Sequence, residues 1–175
     1  MGKIIKSTTE ELLFHDVESL IEESRAQVAQ MVNSALTNLY WQIGNRMNKE
    51  TLRSKRAEYG KQIGASVSRK LEERYGKGFS EKSIRRMMQF AEVFPDHQIV
   101  ASAMRQLSWT HFTLLLPLKQ PLQREFYAEM CRTEKWSVRT LREKIDGMLY
   151  ERTAISKKPK KLIAQEINNL RSNDK

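Results

Sequence analysis

The chain has 175 residues and a formal charge of +10, with 31 Lys and Arg against 21 Asp and Glu, 39% apolar and 30% charged side chains. That length suits one domain or two small ones, and the modest apolar share predicts much exposed helix surface. No window approaches the ~20 apolar residues of a membrane span, nothing N-terminal has the apolar run of a signal peptide, and the single cysteine, Cys131, excludes an intramolecular disulfide or a CxxC zinc site. The chain reads as cytoplasmic.

Ser7-Thr8-Thr9-Glu10 has capping-box spacing and predicts a helix start, after which neither Pro nor Gly intervenes until Gly44. Phe14, Val17, Ile21, Val28, Met31 and Ala35 fall on steps of three and four, broken by Ser24, and Leu20, Val32, Leu36, Leu39, Ile43 and Met47 widen the stripe. As one piece such a helix would reach ~60 Å at ~1.5 Å per residue. It must therefore bend back near Glu23-Ser24-Arg25 or find a partner chain, and the apolar repeat favours a homodimer over an intramolecular hairpin.

Arg46 to Ala57 predicts a break. Its Arg53, Lys55 and Arg56, with Lys61, Arg69 and Lys70 beyond, suit phosphate contacts, which position a protein without reading sequence. Charge supports this placement: residues 51–90 hold eleven Lys and Arg against four acids, whereas residues 1–50 hold five against seven. A polyanion is the expected partner, because neutralising phosphates releases condensed counterions. An anionic membrane is disfavoured, since the basic segment has no large apolar face to insert. Gly60 and Gly64, four apart, predict close approach of a neighbouring helix.

Ile63, Val67 and Leu71 mark an amphipathic helix to about Tyr75, broken at Gly76-Lys77-Gly78. Ser80 then serves as N-cap of the next helix, with Phe79 and Ile84 at staple spacing, and Phe94-Pro95 closes it. At 100° per residue, Ile84, Met87, Met88 and Ala91 share one face while Lys82, Arg85, Arg86 and Gln89 point the other way. Helix, short glycine-containing turn and basic second helix are the outline of a helix-turn-helix, with an αα-hairpin bearing a solvated charged face as the plain alternative.

Pro95 to Val100 reads as a loop. Ser108 caps a helix containing Trp109, Phe112, Leu115 and Leu116, which Pro117 ends; Pro121 opens another that runs to about Thr133; Ser137 caps a third over 138–150. The last two form a second helix-turn-helix-like pair, whose mixed charges suit packing better than DNA. Cys131 reads as a small buried hydrophobe. Ser156 to Lys161 is a charged linker, and 162–171 could add one amphipathic helix. The fold is thus all-α, with a long N-terminal helix over 1–52, a helix-turn-helix-containing body over 53–153 and a basic tail over 154–175.

Catalytic patterns are missing. No acid is followed two residues later by Lys, so the (D/E)-x-K half of a common magnesium nuclease core is lacking; His15, His97 and His111 have no metal-ligand spacing; no phosphate-binding Gly-x-x-x-x-Gly-Lys loop occurs. His111, one turn from Leu107 and Leu115, reads as a satisfied core histidine. No enzyme activity, cofactor, metal or small-molecule substrate is expected of this chain.

Arg56-Ala-Glu-Tyr-Gly-Lys61, Tyr75-Gly-Lys-Gly-Phe-Ser-Glu81 with Arg85-Arg86-Met87, Leu107-Ser-Trp-Thr-His111, Arg124-Glu-Phe-Tyr127, Trp136-Ser-Val-Arg139 and Leu149-Tyr-Glu-Arg152 occur in order. Together they resemble the N-terminal domain of the bacterial YhcG family, over roughly residues 17 to 165. The resemblance implies a domain of unknown function that precedes a PD-(D/E)XK nuclease domain, the catalytic part lying beyond this chain. The reading that follows is a non-catalytic module binding double-stranded DNA through Lys82, Arg85, Arg86 and Gln89. The alternative is a dimerisation or protein-interaction domain without DNA contact. Single-stranded RNA finds little support, because the aromatic residues occupy core-like positions.

Overall fold

A computed structural model describes residues 2–53 and 57–155, with side chains over 9–51 and 62–153. All regular structure among them is helical: α1 Gly2–Arg53, α2 Ala57–Tyr75, a single 3-10 turn Lys77–Phe79, α3 Glu81–Val93, α4 His97–Ala103, α5 Trp109–Leu115, α6 Pro121–Glu134, α7 Val138–Asp146 and α8 Leu149–Ile155. The predicted linker and helix over 156–171 lie outside the described residues.

The first helix departs most from expectation. It begins before Ser7, so the Ser7–Glu10 box is interior rather than a cap, and it runs unbroken through Gly44 and on to Arg53 instead of yielding a loop from Arg46. It does not fold back at Glu23–Arg25, which removes the intramolecular hairpin. Glycine inside a helix costs about 1 kcal/mol, and here tertiary contact overrides that cost. A Cβ on Gly44 would fall 1.9 Å from the carbonyl oxygen of Met87, so α1 and α3 cross backbone against backbone at a point where only glycine fits. Gly64 has no such role, since its Cβ would meet only the methyl of Met47 at 3.9 Å, an ordinary contact. The surroundings of Gly60 lie outside the described side chains, and the backbone-to-backbone approach that is seen sits at Gly44.

The second half of α1 is a spine for the rest. Trp41 is buried in the same core as Phe90, Phe112, Tyr127 and Leu141. Polar side chains on this stretch dock on backbone carbonyls of the body, two of them at C-caps, where helix ends leave the carbonyl free, and one inside α3. Trp41 Nε1 donates to Phe94 O at 2.8 Å, Asn48 Nδ2 to Met88 O at 2.9 Å, and Ser34 Oγ to Met104 O at 2.7 Å. Phe90, fully buried, joins the rings of Phe94, Trp109 and Phe112 at centroid distances of 4.8–5.7 Å.

Two further boundaries moved. Residues 97–100, read as loop, belong to α4, because Asp96 accepts from the backbone N–H groups of Gln98 and Ile99 and so caps a helix directly after Pro95. The helix expected over 138–150 breaks at Gly147 and Met148, where Met148 takes φ 53°, giving α7 and α8. Ser108, Pro121 and Ser137 start their helices as expected. Cys131 is buried, which pushes its thiol up to about 12 and leaves it an inert packing group.

The break at Gly147 is bridged by one phenol. Tyr127, fully buried, donates from its hydroxyl to Lys144 O at 3.3 Å and accepts from the backbone N–H of Tyr150 at 3.1 Å. Tyr127→Phe strands both groups and is expected to cost about 1–3 kcal/mol in urea unfolding, with little change in the slope of the transition.

Candidate nucleic-acid interface

The geometry of α3 follows from its two faces. Ile84, Met87, Phe90 and Ala91 are buried and Met88 half-buried, while Lys82, Arg85, Arg86 and Gln89 are all exposed. Phe90 was not among the expected inner residues, because at 100° per residue it falls at the margin between Met87 and Arg86, and its burial widens the inner face. The Gly44 crossing and the Asn48 and Trp41 hydrogen bonds fix the rotation of α3 about its own axis. The basic side is thereby held away from the body, forming an open surface lined by Glu81, Lys82, Arg85, Arg86 and Gln89.

The start of α3 differs in detail from expectation. Ser80 is the N-cap residue, but its hydroxyl meets the Ser83 hydroxyl at 3.1 Å and makes no side-chain cap to the backbone. Glu81 in the first turn complements the helix dipole and ion-pairs with Arg85 one turn on. The Arg85 side chain stays 76% exposed, so this pair is a solvated one worth only a few tenths of a kcal/mol. It holds the guanidinium along the helix without burying it.

Of the other expected phosphate contacts, Arg69 and Lys70 are exposed on α2. Lys55 and Arg56 lie outside the described residues, and so do the side chains of Arg53 and Lys61. The turn adds two cations that sequence reading passed over. Arg74 stacks over the Tyr75 ring at 5.6 Å, Tyr75 meets Phe79 edge-on at 5.8 Å, and Lys77 is exposed beside them. Lys77 stands within Gly76-Lys77-Gly78 and Arg74 just before it, a stretch read as the turn between two helices rather than as a source of phosphate contacts. Gly76 at φ 88° makes the turn possible, a conformation open to residues without a Cβ.

Among the described residues, no cluster of His, Cys, Asp and Glu could hold a metal ion, and no helix is long and apolar enough to cross a membrane. His111 is a buried structural group. Its Nδ1 accepts from the backbone N–H of Ser108 at 3.1 Å, and its Nε2–H donates to Trp136 O at 3.0 Å. Burial lowers its pKa below the usual 6.5, only partly opposed by the Trp136 carbonyl. A proton on Nδ1 would also face the Ser108 donor. The unfolded chain therefore binds that proton more readily than the folded one. The neutral ring's contribution is fully present above about pH 6.5 and is lost as pH falls toward the lowered value. Unfolding free energies measured from pH 7.5 to 5 should decline more steeply for the native chain than for His111→Gln.

A family model described as "DUF1016 N-terminal domain" matches residues 16–152. The chain is 29% identical over 173 residues to "Putative nuclease YhcG" of Escherichia coli (strain K12), covering 81% of this chain and 46% of that protein. It thus spans about half the length of the curated relative it matches. No solved structure matches the chain.

Proposed function

Because the chain belongs to the DUF1016 N-terminal domain family, we propose that it is a non-catalytic module that binds double-stranded DNA through α3 and positions a nuclease on it. One observation carries the reading: Lys82, Arg85, Arg86 and Gln89 share an open, solvent-facing side of a helix whose opposite side is buried. Arg85 or Arg86 can fork onto guanine O6 and N7, and Gln89 onto adenine N6 and N7. Arg69, Lys70, Arg74 and Lys77, exposed on α2 and the turn that leads into α3, would serve phosphates. The nuclease named in the relative would reside in the part of that protein that this chain does not cover, which agrees with the missing (D/E)-x-K pattern.

Fluorescence anisotropy with a labelled duplex tests this. With four to six phosphates contacted, log affinity should fall against log salt with a slope of about −4 to −5. Absence of duplex binding at low salt would favour the second reading, an interaction or dimerisation domain without DNA contact. That reading has its own support in the uncovered apolar stripe of α1, which lies on another surface and is compatible with the first.

A further inference from the structure

Residues 9–29 of α1 are exposed on every side, yet they carry an apolar stripe. Phe14, Val17, Leu20, Ile21, Val28 and Met31 are between 46% and 70% exposed. At 100° per residue they fall within one third of the circumference. Val32 and Leu39 continue the same stripe alongside the body, still exposed. Gln30, Ser34, Trp41, Gly44 and Asn48, the residues that dock α1 on the rest of the fold, lie on the opposite side. The helix therefore has two working faces, of which one is used.

We propose that a second copy of this chain covers the free face, with the two α1 helices antiparallel about a twofold axis between Ile21 and Ser24. In heptad terms Phe14, Ile21 and Val28 take position a, and Val17, Ser24 and Met31 take position d. An antiparallel register then sets Phe14 against Met31 of the second copy, Val17 against Val28 and Ile21 against Ser24, each layer made twice by symmetry. The same register brings Glu18 beside Arg25 of the second copy, giving two opposite-charge contacts. Both side chains are more than half exposed, held only by intrahelical pairs to His15 and Glu22. A parallel pair would set Glu18 against Leu13 and Arg25 against Leu20, with no charge match.

Area also selects this occupant, while charge excludes polyanionic ones. Eight such side chains at roughly 100 Å² each offer on the order of 800 Å² per chain, the amount each partner gives to a standard specific interface. A lone monomer rarely leaves so large a contiguous patch in water. Glu10, Glu11, Asp16, Glu18, Glu22 and Glu23, against the lone cation Arg25, line residues 9–29. That charge repels nucleic acid and anionic lipid alike. Antiparallel pairing also explains why the stripe extends past the free segment: the N-terminal half of the second copy lies on Met31, Val32 and Leu39. The inference is independent of the DNA reading.

Light scattering on the 175-residue chain at tens of micromolar should give twice the monomer mass. After copper-phenanthroline oxidation, the variant carrying both Val17→Cys and Val28→Cys should run as a covalent dimer, while Val17→Cys alone should not. Cys131 is buried and does not compete. Ile21→Asp, at a position that touches nothing in the single chain, should raise the dimer dissociation constant about 30-fold or more with an unchanged circular dichroism spectrum. Monomer mass at 100 μM, a mass above dimer, cross-linking by Val17→Cys alone, or a dimer indifferent to Ile21→Asp would each overturn the proposal. A monomeric Ile21→Asp chain that still binds duplex DNA would separate this surface from that of α3.

Discussion

Gly44→Ala is expected to unseat α3 from α1 and to lower the unfolding free energy by about 3 kcal/mol or more. The added methyl would fall 1.9 Å from Met87 O and 2.4 Å from Met87 C. Both are backbone atoms of a helix interior, so no side chain can swing aside. The clash is relieved only by pushing the helices apart, which strains the Asn48–Met88 hydrogen bond and opens the core beneath Phe90. Gly64→Ala is the control. Its methyl meets only the Met47 side chain at 3.9 Å, so gain in helix propensity should dominate, adding about 0.5–1 kcal/mol. Urea titrations of the two variants should therefore move in opposite directions. Equal, small shifts would mean that α1 and α3 do not cross as described.

The second large effect is on DNA. Arg85→Ala combined with Arg86→Ala should weaken duplex affinity about 100-fold or more at low salt and reduce the steepness of its salt dependence by about one unit per lost phosphate contact. Stability should change by no more than about 0.5 kcal/mol, because both side chains are exposed and the one ion pair lost, Arg85 with Glu81, is solvated. That combination, a large loss of affinity with an intact fold, distinguishes a binding surface from a merely solubilising one. Gln89→Ala should act differently, relaxing preference at one base pair while leaving the salt slope alone. A double-arginine variant with native affinity would remove α3 as the contact surface.

Much of the site was legible because its signals are local. The serine and proline starts at Ser108, Pro121 and Ser137 act over one turn, as do the Gly76 break and the Phe94-Pro95 end, and all stand where the spacing put them. The two-sided character of α3 is likewise a property of thirteen consecutive residues. Asp96 was equally local, a capping residue after Pro95, and was overlooked because the helix it starts is only seven residues long. Gly44 misled because helix propensity marks glycine as a breaker, whereas the term that decides its role comes from a carbonyl 43 residues away.

Periodicity and end signals by themselves determined that the described residues are all-helical, where α3, α5 and α6 begin and stop, and that one helix carries its cations apart from its apolar side. Those features depend on neighbours within a turn or two, whose geometry every α-helix shares. The tertiary structure alone decided which face of the long first helix is docked, that it runs straight through Gly44, and that the chain itself leaves the other apolar stripe uncovered. Each of these depends on backbone contact between segments distant in the chain. The energy of such contact overrides local preference, and no window of sequence contains both partners.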